Sequence, residues 1–355
     1  MSQFSLPEHE QLKSLSIDGD FNSGNELSLK MNQTSLLARG EQDYILDMRE
    51  SLLQTRTFFK YKVPEDWDLE WNFKIPPAAT ASSLPSLNST DHEVVFYLKN
   101  EDWIKDGAGG WHTLEDAMNN FDFITSGTGS APSVGAKGQN KYNPAVFDGS
   151  NDITFSGNLA TSKLDIDATK DFIMACVISI ADTDSVDTLF QIGAVNSNGF
   201  CRIDLDTSGT ERKVNITTRA SNTNAVCPIN SLFTIDDVGI LIVGSVNSSH
   251  VGRWNGTQIT ALGQTRRDID GGSTNVTLGS GYTLLGDTNF CDVDLYESCF
   301  IVERPNSSAN ISATICEELE GYFAHKFKLT SKLPDNHAYK SVPPRISSMI
   351  DLTED

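Results

Sequence analysis

The chain's most chemically loaded stretch is Asp292-Val-Asp294-Leu-Tyr-Glu297, three carboxylates in six positions of a strand-like run. Two carboxyl groups held about 5 Å apart can share acid and nucleophile work on a glycosidic bond. Strict alternation along a strand puts Asp292 and Asp294 on one face and Glu297 on the other, unless a bulge intervenes. Oxygen-rich turns are a second candidate chemistry. Asp148 and Asp152 lie in FDGSND, and Asp182, Asp184 and Asp187 in ADTDSVD. Such clusters suit Ca²⁺, which takes carboxylate and carbonyl oxygens; they are equally ordinary turn formers. A third is stacking on sugar faces by Trp111, in a Gly-rich loop, and Trp254, in a hairpin. Either ring could instead pack in a core. The six histidines show no metal-ligand spacing, and no Ser-His-Asp or Cys-His arrangement can be singled out.

These residues need strands to position them, and strands dominate from about residue 93 onward. Val94–Leu98, Phe172–Ile180, Thr188–Ile192, Arg202–Leu205, Lys213–Thr217 and Gly239–Val246 are apolar or alternating runs broken by Gly, Ser and Asn clusters. In VGRWNGTQIT, Asn255-Gly256 predicts a type I′ hairpin turn. One amphipathic helix follows late: Ile315, Leu319, Tyr322, Phe323 and Phe327 recur at helical spacing. Ser312 or Thr314 stands ready to cap its start. A string of strands with a single late helix predicts a mainly β sandwich.

The order of several short motifs resembles the laminin-G-like, concanavalin-A-like jelly-roll domains of phage virion and bacterial surface proteins. An opening strand (Val94–Leu98) is followed by a Trp-bearing loop (Trp111). Then come Phe147-Asp148-Gly149 with Asp152, and Asp171-Phe172. A late strand carries Glu297 ahead of Glu320-Gly321-Tyr322 and the tail Leu333-Pro334, His337, Tyr339. Cys291-Asp292 stands where the family often has Gly, and Phe327 where it often has Trp. The resemblance implies a two-sheet jelly-roll sandwich over residues 91–343 and a binding or display role without catalysis. The strand Asp292–Glu297 also resembles the paired-carboxylate strand of family-16 glycoside hydrolases, with Asp292 in place of the family's Glu.

About 90 residues precede that domain. Residues 42–60 predict a short helix, with Ile45, Met48, Leu52 and Phe59 on one face. The run from Pro76 to Thr90 has the composition of a linker. Residues 1–90 hold few apolar positions for an independent core, so they are expected to form an extended docking and oligomerisation arm. Ile45, Met48, Leu52, Phe58, Phe59, Trp67 and Trp71 are its contact residues. Residues 344–355 are expected to be a tail.

Composition narrows the partners. A net charge of −21 over 355 residues repels phosphate, so nucleic acid is excluded. No apolar run of about 18 residues exists to insert in a membrane. The opening MSQFSLPEHEQLKS lacks a basic and an apolar region, so a secretion signal is not expected. Six cysteines without CxxC spacing, three of them inside apolar strands, are expected to be buried thiols. The expected protein is a non-enzymatic virion subunit — decoration, fibre or other appendage — made in the host cytoplasm and displayed on the virion surface. It would associate through its arm, a trimer suiting a fibre, and could bind host glycan. A family-16 type glycoside hydrolase is the rival of another class.

Overall fold

The computed structural model describes residues 79–345, apart from 106–109, 119–121, 126–130, 137, 151, 153, 158–165, 194–199, 221–222, 261–266, 268, 270–274 and 284–285. It also describes residues 12–16, 26–28, 60–64 and 72–74. The chain divides into two compact units, Met1–Ala79 with Pro344–Asp355, and Thr80–Pro343.

In the first unit, β1 (Leu12–Ser16) pairs antiparallel with β3 (Lys60–Pro64), and β2 (Glu26–Ser28) with β4 (Asn72–Lys74). The end of the chain belongs here, since the Ala79 N–H donates to the Pro344 carbonyl at 2.9 Å. Of the helix expected over 42–60, only Lys60 is described, and it opens β3. The docking residues Ile45, Met48, Leu52, Phe58, Phe59, Trp67 and Trp71 lie outside the described residues.

The second unit starts at Thr80, not at residue 91. Part of the run read as linker packs firmly: Ala81 and Leu84 are buried, and Ser86 donates its N–H and hydroxyl to the Glu318 carboxylate at 3.0 and 2.7 Å. Pro, Ser and Ala signal the absence of regular structure, not the absence of packing.

Two antiparallel sheets make the sandwich. The eight-stranded sheet holds β5 (His92–Leu98), β9 (Ser133–Val134), β10 (Ala145–Asp148), β12 (Phe172–Ile180), β17 (Gly239–Val246), β18 (Ser249–Trp254), β19 (Thr257–Thr260) and β23 (Asp292–Glu303). Its order is β19-β18-β17-β12-β23-β10-β9, with β5 alongside the second half of β23. The nine-stranded sheet holds β6 (Ile104–Lys105), β7 (Trp111–Leu114), β8 (Phe123–Thr125), β11 (Thr154–Gly157), β13 (Val186–Ile192), β14 (Phe200–Asp206), β15 (Lys213–Ala220), β16 (Thr223–Ile229) and β20 (Asn275–Leu278). There the order is β16-β15-β14-β13-β20-β11-β8-β7-β6. A small hairpin, β21 (Gly281–Thr283) with β22 (Gly286–Thr288), stands apart.

Aromatic contacts join the sheets across the core. Phe96 and Phe300 of one meet Phe123 and Phe190 of the other, with ring centroids 5.2–5.7 Å apart. All six cysteines are buried thiols outside any disulfide. Asn255 and Gly256 take φ of 51° and 86°, both left-handed, as the type I′ turn requires.

Among the described residues there is one α-helix, α1 (Ala313–Phe327). Ser312 caps it by accepting from the Ile315 N–H, and Lys328 ends it in the left-handed conformation. Ile315, Leu319, Tyr322, Phe323 and Phe327 are all buried, as their spacing predicts. The helix packs on β17, over the outer face of the eight-stranded sheet. No helix of the described residues is long and apolar enough to cross a membrane.

Candidate functional site

The carboxylate strand is β23, and it does contain a bulge. Its register against β12 runs Glu297↔Val177 and then Leu295↔Ile178, so Tyr296 is the extra residue. Val293 and Leu295 before it, and Phe300 and Val302 after it, face the core. Asp292, Asp294 and Glu297 therefore share the outer face, which strict alternation forbids.

Sharing a face does not make them a catalytic pair. Glu297 is fully buried under α1. Its Oε1 accepts from the Tyr97 and Tyr322 hydroxyls at 2.6 and 2.7 Å, and its Oε2 from Lys326 Nζ at 2.5 Å. Burial pushes its acidity toward the protonated form, against the pull of the Lys326 ammonium and the two hydroxyls. Substrate has no path to either oxygen. Asp292 and Asp294 lie nearer solvent, and burial raises both pKa values. Asp148, Asp187 and Asp236 add to the first, and Asp292 to the second. Glu297 is thus covered, whereas Asp292 and Asp294 are half-buried.

The same sealed layer holds a second charge cluster. Arg253 of β18 grips Glu320 of α1 with two hydrogen bonds of 2.8 Å, and also donates to Gln258 at 2.7 Å. His337 of the tail reaches the same carboxylate at 3.0 Å, and His325 meets the Tyr339 carbonyl at 2.9 Å. Both histidines tie the tail to the helix, the structural role their positions imply.

The Asp-rich turns are occupied by the backbone and by hydroxyls. Asp148 accepts from the Ser150 N–H and hydroxyl, and Asp152 from the Asp148 N–H. Asp187 accepts from Thr183 and Ser185, Asp182 pairs with Arg212 at 2.8 Å, and Asp184 sits at a left-handed turn position with φ 51°. Among the described residues no group of three or more His, Cys, Asp or Glu side chains is arranged to hold a metal ion. Asp148, Asp152, Asp182 and Asp187 thus each serve a local turn or ion pair, as Asp in such stretches commonly does.

Neither tryptophan offers a stacking face. Trp111 is 4% exposed, packs edge-on against Trp103 and donates its indole N–H to the Pro144 carbonyl at 3.1 Å. Trp254 is 8% exposed, and its indole lies on Gly239, where a Cβ would stand 2.2 Å from the ring. A Gly opposite a Trp is a packing signal that the hairpin motif conceals.

Sequence reasoning passed over the outer face of the nine-stranded sheet. Cys201, Ile203 and Leu205 of β14, and Val214 and Ile216 of β15, point to the core. Arg202, Asp204, Asn215, Thr217 and Arg219 therefore point outward, with Asn224 and Val226 of β16. Register places Thr277, Gln191, Arg202, Thr217 and Val226 in one row across five strands. In that row Thr277, Gln191 and Thr217 are buried, as is Asp204, whereas Arg202, Asn215 and Arg219 are half-buried and Asn224 and Val226 exposed. Arg202 donates to Asp204 at 2.7 Å, and Arg219 to Asn224 at 3.2 Å. Burial raises the pKa of Asp204, opposed by Arg202. Alternate charged positions in FCRIDLD are visible in the sequence; which sheet face they decorate is not.

No family model and no curated protein matches the chain. Among solved structures, a carbohydrate-binding module of the Ruminococcus gnavus IT-sialidase, bound to α2,3-sialyllactose, aligns with TM-score 0.36 and 10% identity. That alignment covers 49% of this chain and 91% of that one. Domain 4 of an extracellular arabinanase from Geobacillus stearothermophilus, in complex with arabinotriose, aligns with TM-score 0.40 and 17% identity, over 60% and 94%. Trypanosoma rangeli sialidase aligns with TM-score 0.41 and 10% identity, over 85% of this chain but 40% of the enzyme.

Proposed function

We propose that the chain is a non-enzymatic recognition protein, whose β sandwich binds carbohydrate on the open part of its nine-stranded sheet. The supporting observation is the β14–β16 surface, where Arg202, Asn215, Arg219 and Asn224 hold guanidinium and amide groups on paired strands. Fixed donors and acceptors on a rigid sheet orient sugar hydroxyls without cost at the moment of binding. The glycoside hydrolase alternative lacks an accessible Glu297.

The setting is a phage virion, as a decoration, fibre or other appendage subunit anchored through residues 1–79. That part rests on the resemblance of the sandwich's motifs to virion display domains. A division of the chain at Ala79 supports a separable anchor.

A glycan array probed with the full chain tests the binding half. Arg219→Ala with Asn224→Ala should weaken any bound glycan by about tenfold or more, the worth of one or two charged hydrogen bonds. Unchanged binding moves the surface elsewhere, and no bound glycan removes it. No sugar release is expected from the wild type; release lost in Asp292→Asn with Glu297→Gln would restore the enzyme. For anchoring, the deletion should end at Ala79, because Ala81 and Leu84 belong to the sandwich unit. A truncated chain that still joins its particle at full occupancy ends the anchor reading.

A further inference from the structure

The part-buried contact between Glu297 and Lys326 holds every group that an amide-forming condensation needs. The nucleophile is Lys326 Nζ on α1, and the acceptor carbon is the Glu297 carboxyl on β23, whose Oε2 the amine touches at 2.5 Å. Two hydroxyls, Tyr97 and Tyr322, donate to the other oxygen, Oε1, at 2.6 and 2.7 Å. They stand where negative charge would develop on attack. A second carboxylate, Glu101, touches the same nitrogen at 2.7 Å. Around the amine lie the rings of Tyr142, Phe327 and Tyr322, with centroids 5.2, 5.5 and 5.8 Å away.

We infer that Glu297 and Lys326 are the two ends of an intramolecular isopeptide bond, formed after folding, that staples the late helix to the sheet. The lysine ammonium first gives a proton to Glu297, leaving an amine facing a neutral carboxyl. The nitrogen lone pair then forms a bond to the carboxyl carbon, and the C=O π pair moves onto Oε1, held by the two tyrosines. Glu101 takes a proton from the nitrogen and delivers it to the departing Glu297 hydroxyl, which leaves as water. The pair becomes a neutral amide, and no oxidant, reductant or co-substrate is consumed. Burial favours each step that removes charge: it pushes Glu297 toward its protonated form and holds both tyrosine hydroxyls in theirs. Proximity does the rest, since packing has already placed both reactants in contact.

The positioning comes from particular residues. The Tyr296 bulge turns Glu297 outward, and the tight fit of Phe327 against Tyr142 and Tyr296, with centroids 5.1 and 5.9 Å apart, fixes the end of α1 that carries Lys326.

Intact mass spectrometry of the full chain, denatured after folding, reads the bond directly. The wild type is expected one water lighter than its sequence, with a branched peptide joining Glu297 to Lys326 after proteolysis. Lys326→Arg keeps the charge and removes the nucleophile, so it should have the full mass. Glu101→Gln should slow conversion by at least about a hundredfold, the usual worth of a positioned proton-transfer group. A wild type that keeps its full mass after prolonged incubation at neutral pH overturns the inference. So does a water loss that persists in Lys326→Arg, which would point to cyclisation at an Asp-Gly such as Asp148-Gly149. Should Lys326→Arg fail to fold, the branched peptide from the wild type decides alone.

Discussion

The outer faces of the two sheets carry similar side chains and treat them in opposite ways. On the eight-stranded sheet, Glu297 and Arg253 are covered by α1, and each meets a partner from the helix: Lys326 for the first, Glu320 for the second. On the nine-stranded sheet, Arg202, Arg219 and Asn224 stand on β14–β16 with solvent on one side. The difference lies in the helix. A polar sheet face under a helix must satisfy every buried group internally, so it becomes rigid structure. A polar face left open can exchange water for a ligand. The most suggestive acidic motif in the sequence, Asp292 to Glu297, belongs to the closed face, and the residues with access belong to the open one.

The largest effect should come from breaking the closed face. Among the described residues, Glu320→Ala leaves the buried Arg253 with Gln258 and the Gly256 carbonyl as hydrogen-bond partners. Removing one member of such a pair typically costs about 3–5 kcal/mol. Urea unfolding of the full chain should show that loss in the sandwich transition. A change below about 1 kcal/mol would mean the layer behaves like an exposed face, and the contrast between the sheets would collapse.

Much of the closed face was legible beforehand. The spacing of Ile315, Leu319, Tyr322, Phe323 and Phe327 announces a helix with one buried stripe, and Ser312 announces its start. Long apolar runs such as Phe172–Ile180 and Gly239–Val246 are strands of the expected extent. What alternation misreads is the side of Glu297, because one extra residue reverses every later side chain and leaves no mark in composition. Thr223–Ile229 was missed as a strand: Pro228 argues against one, yet β16 is an edge strand, where a proline costs no ladder bond. Trp111 and Trp254 look like sugar platforms because the residue type is right; their burial depends on Trp103, Pro144 and Gly239, brought close only by the fold.

A middle-sized effect should appear at the end of the closed face, where carboxylates are crowded together. Asp148 is the register partner of Asp292, and Asp152 lies against Asp148. Burial and Asp148 raise the Asp152 pKa from 3.8 to about 6. A raised carboxylate pKa favours the folded state while the group is protonated. That contribution is present below the ordinary value and is lost as pH climbs to about 6. At neutral pH the ionised group is a burden that Asp152→Asn does not carry. The variant should be more stable by about 1 kcal/mol at neutral pH, after allowance for solvent screening, with the gap closing toward pH 4. Melting temperatures across that range measure it, and a gap that widens on acidification would reverse the assignment.

The smallest effect on stability should come from the open face, and there it carries the most meaning. Asn224 is exposed and Arg219 half-buried, and the hydrogen bond between them is a surface one. Replacing both with Ala trims side chains that reach solvent on an edge of the sheet. The stability change should stay within about 0.5–1 kcal/mol. A recognition face is defined by this dissociation: binding falls while the fold does not. If the double variant unfolds as readily as Glu320→Ala, these side chains are holding the sheet together and are not available to a ligand. If it neither binds less nor folds less, β14–β16 is inert surface, and the contrast between the two sheets has no functional content.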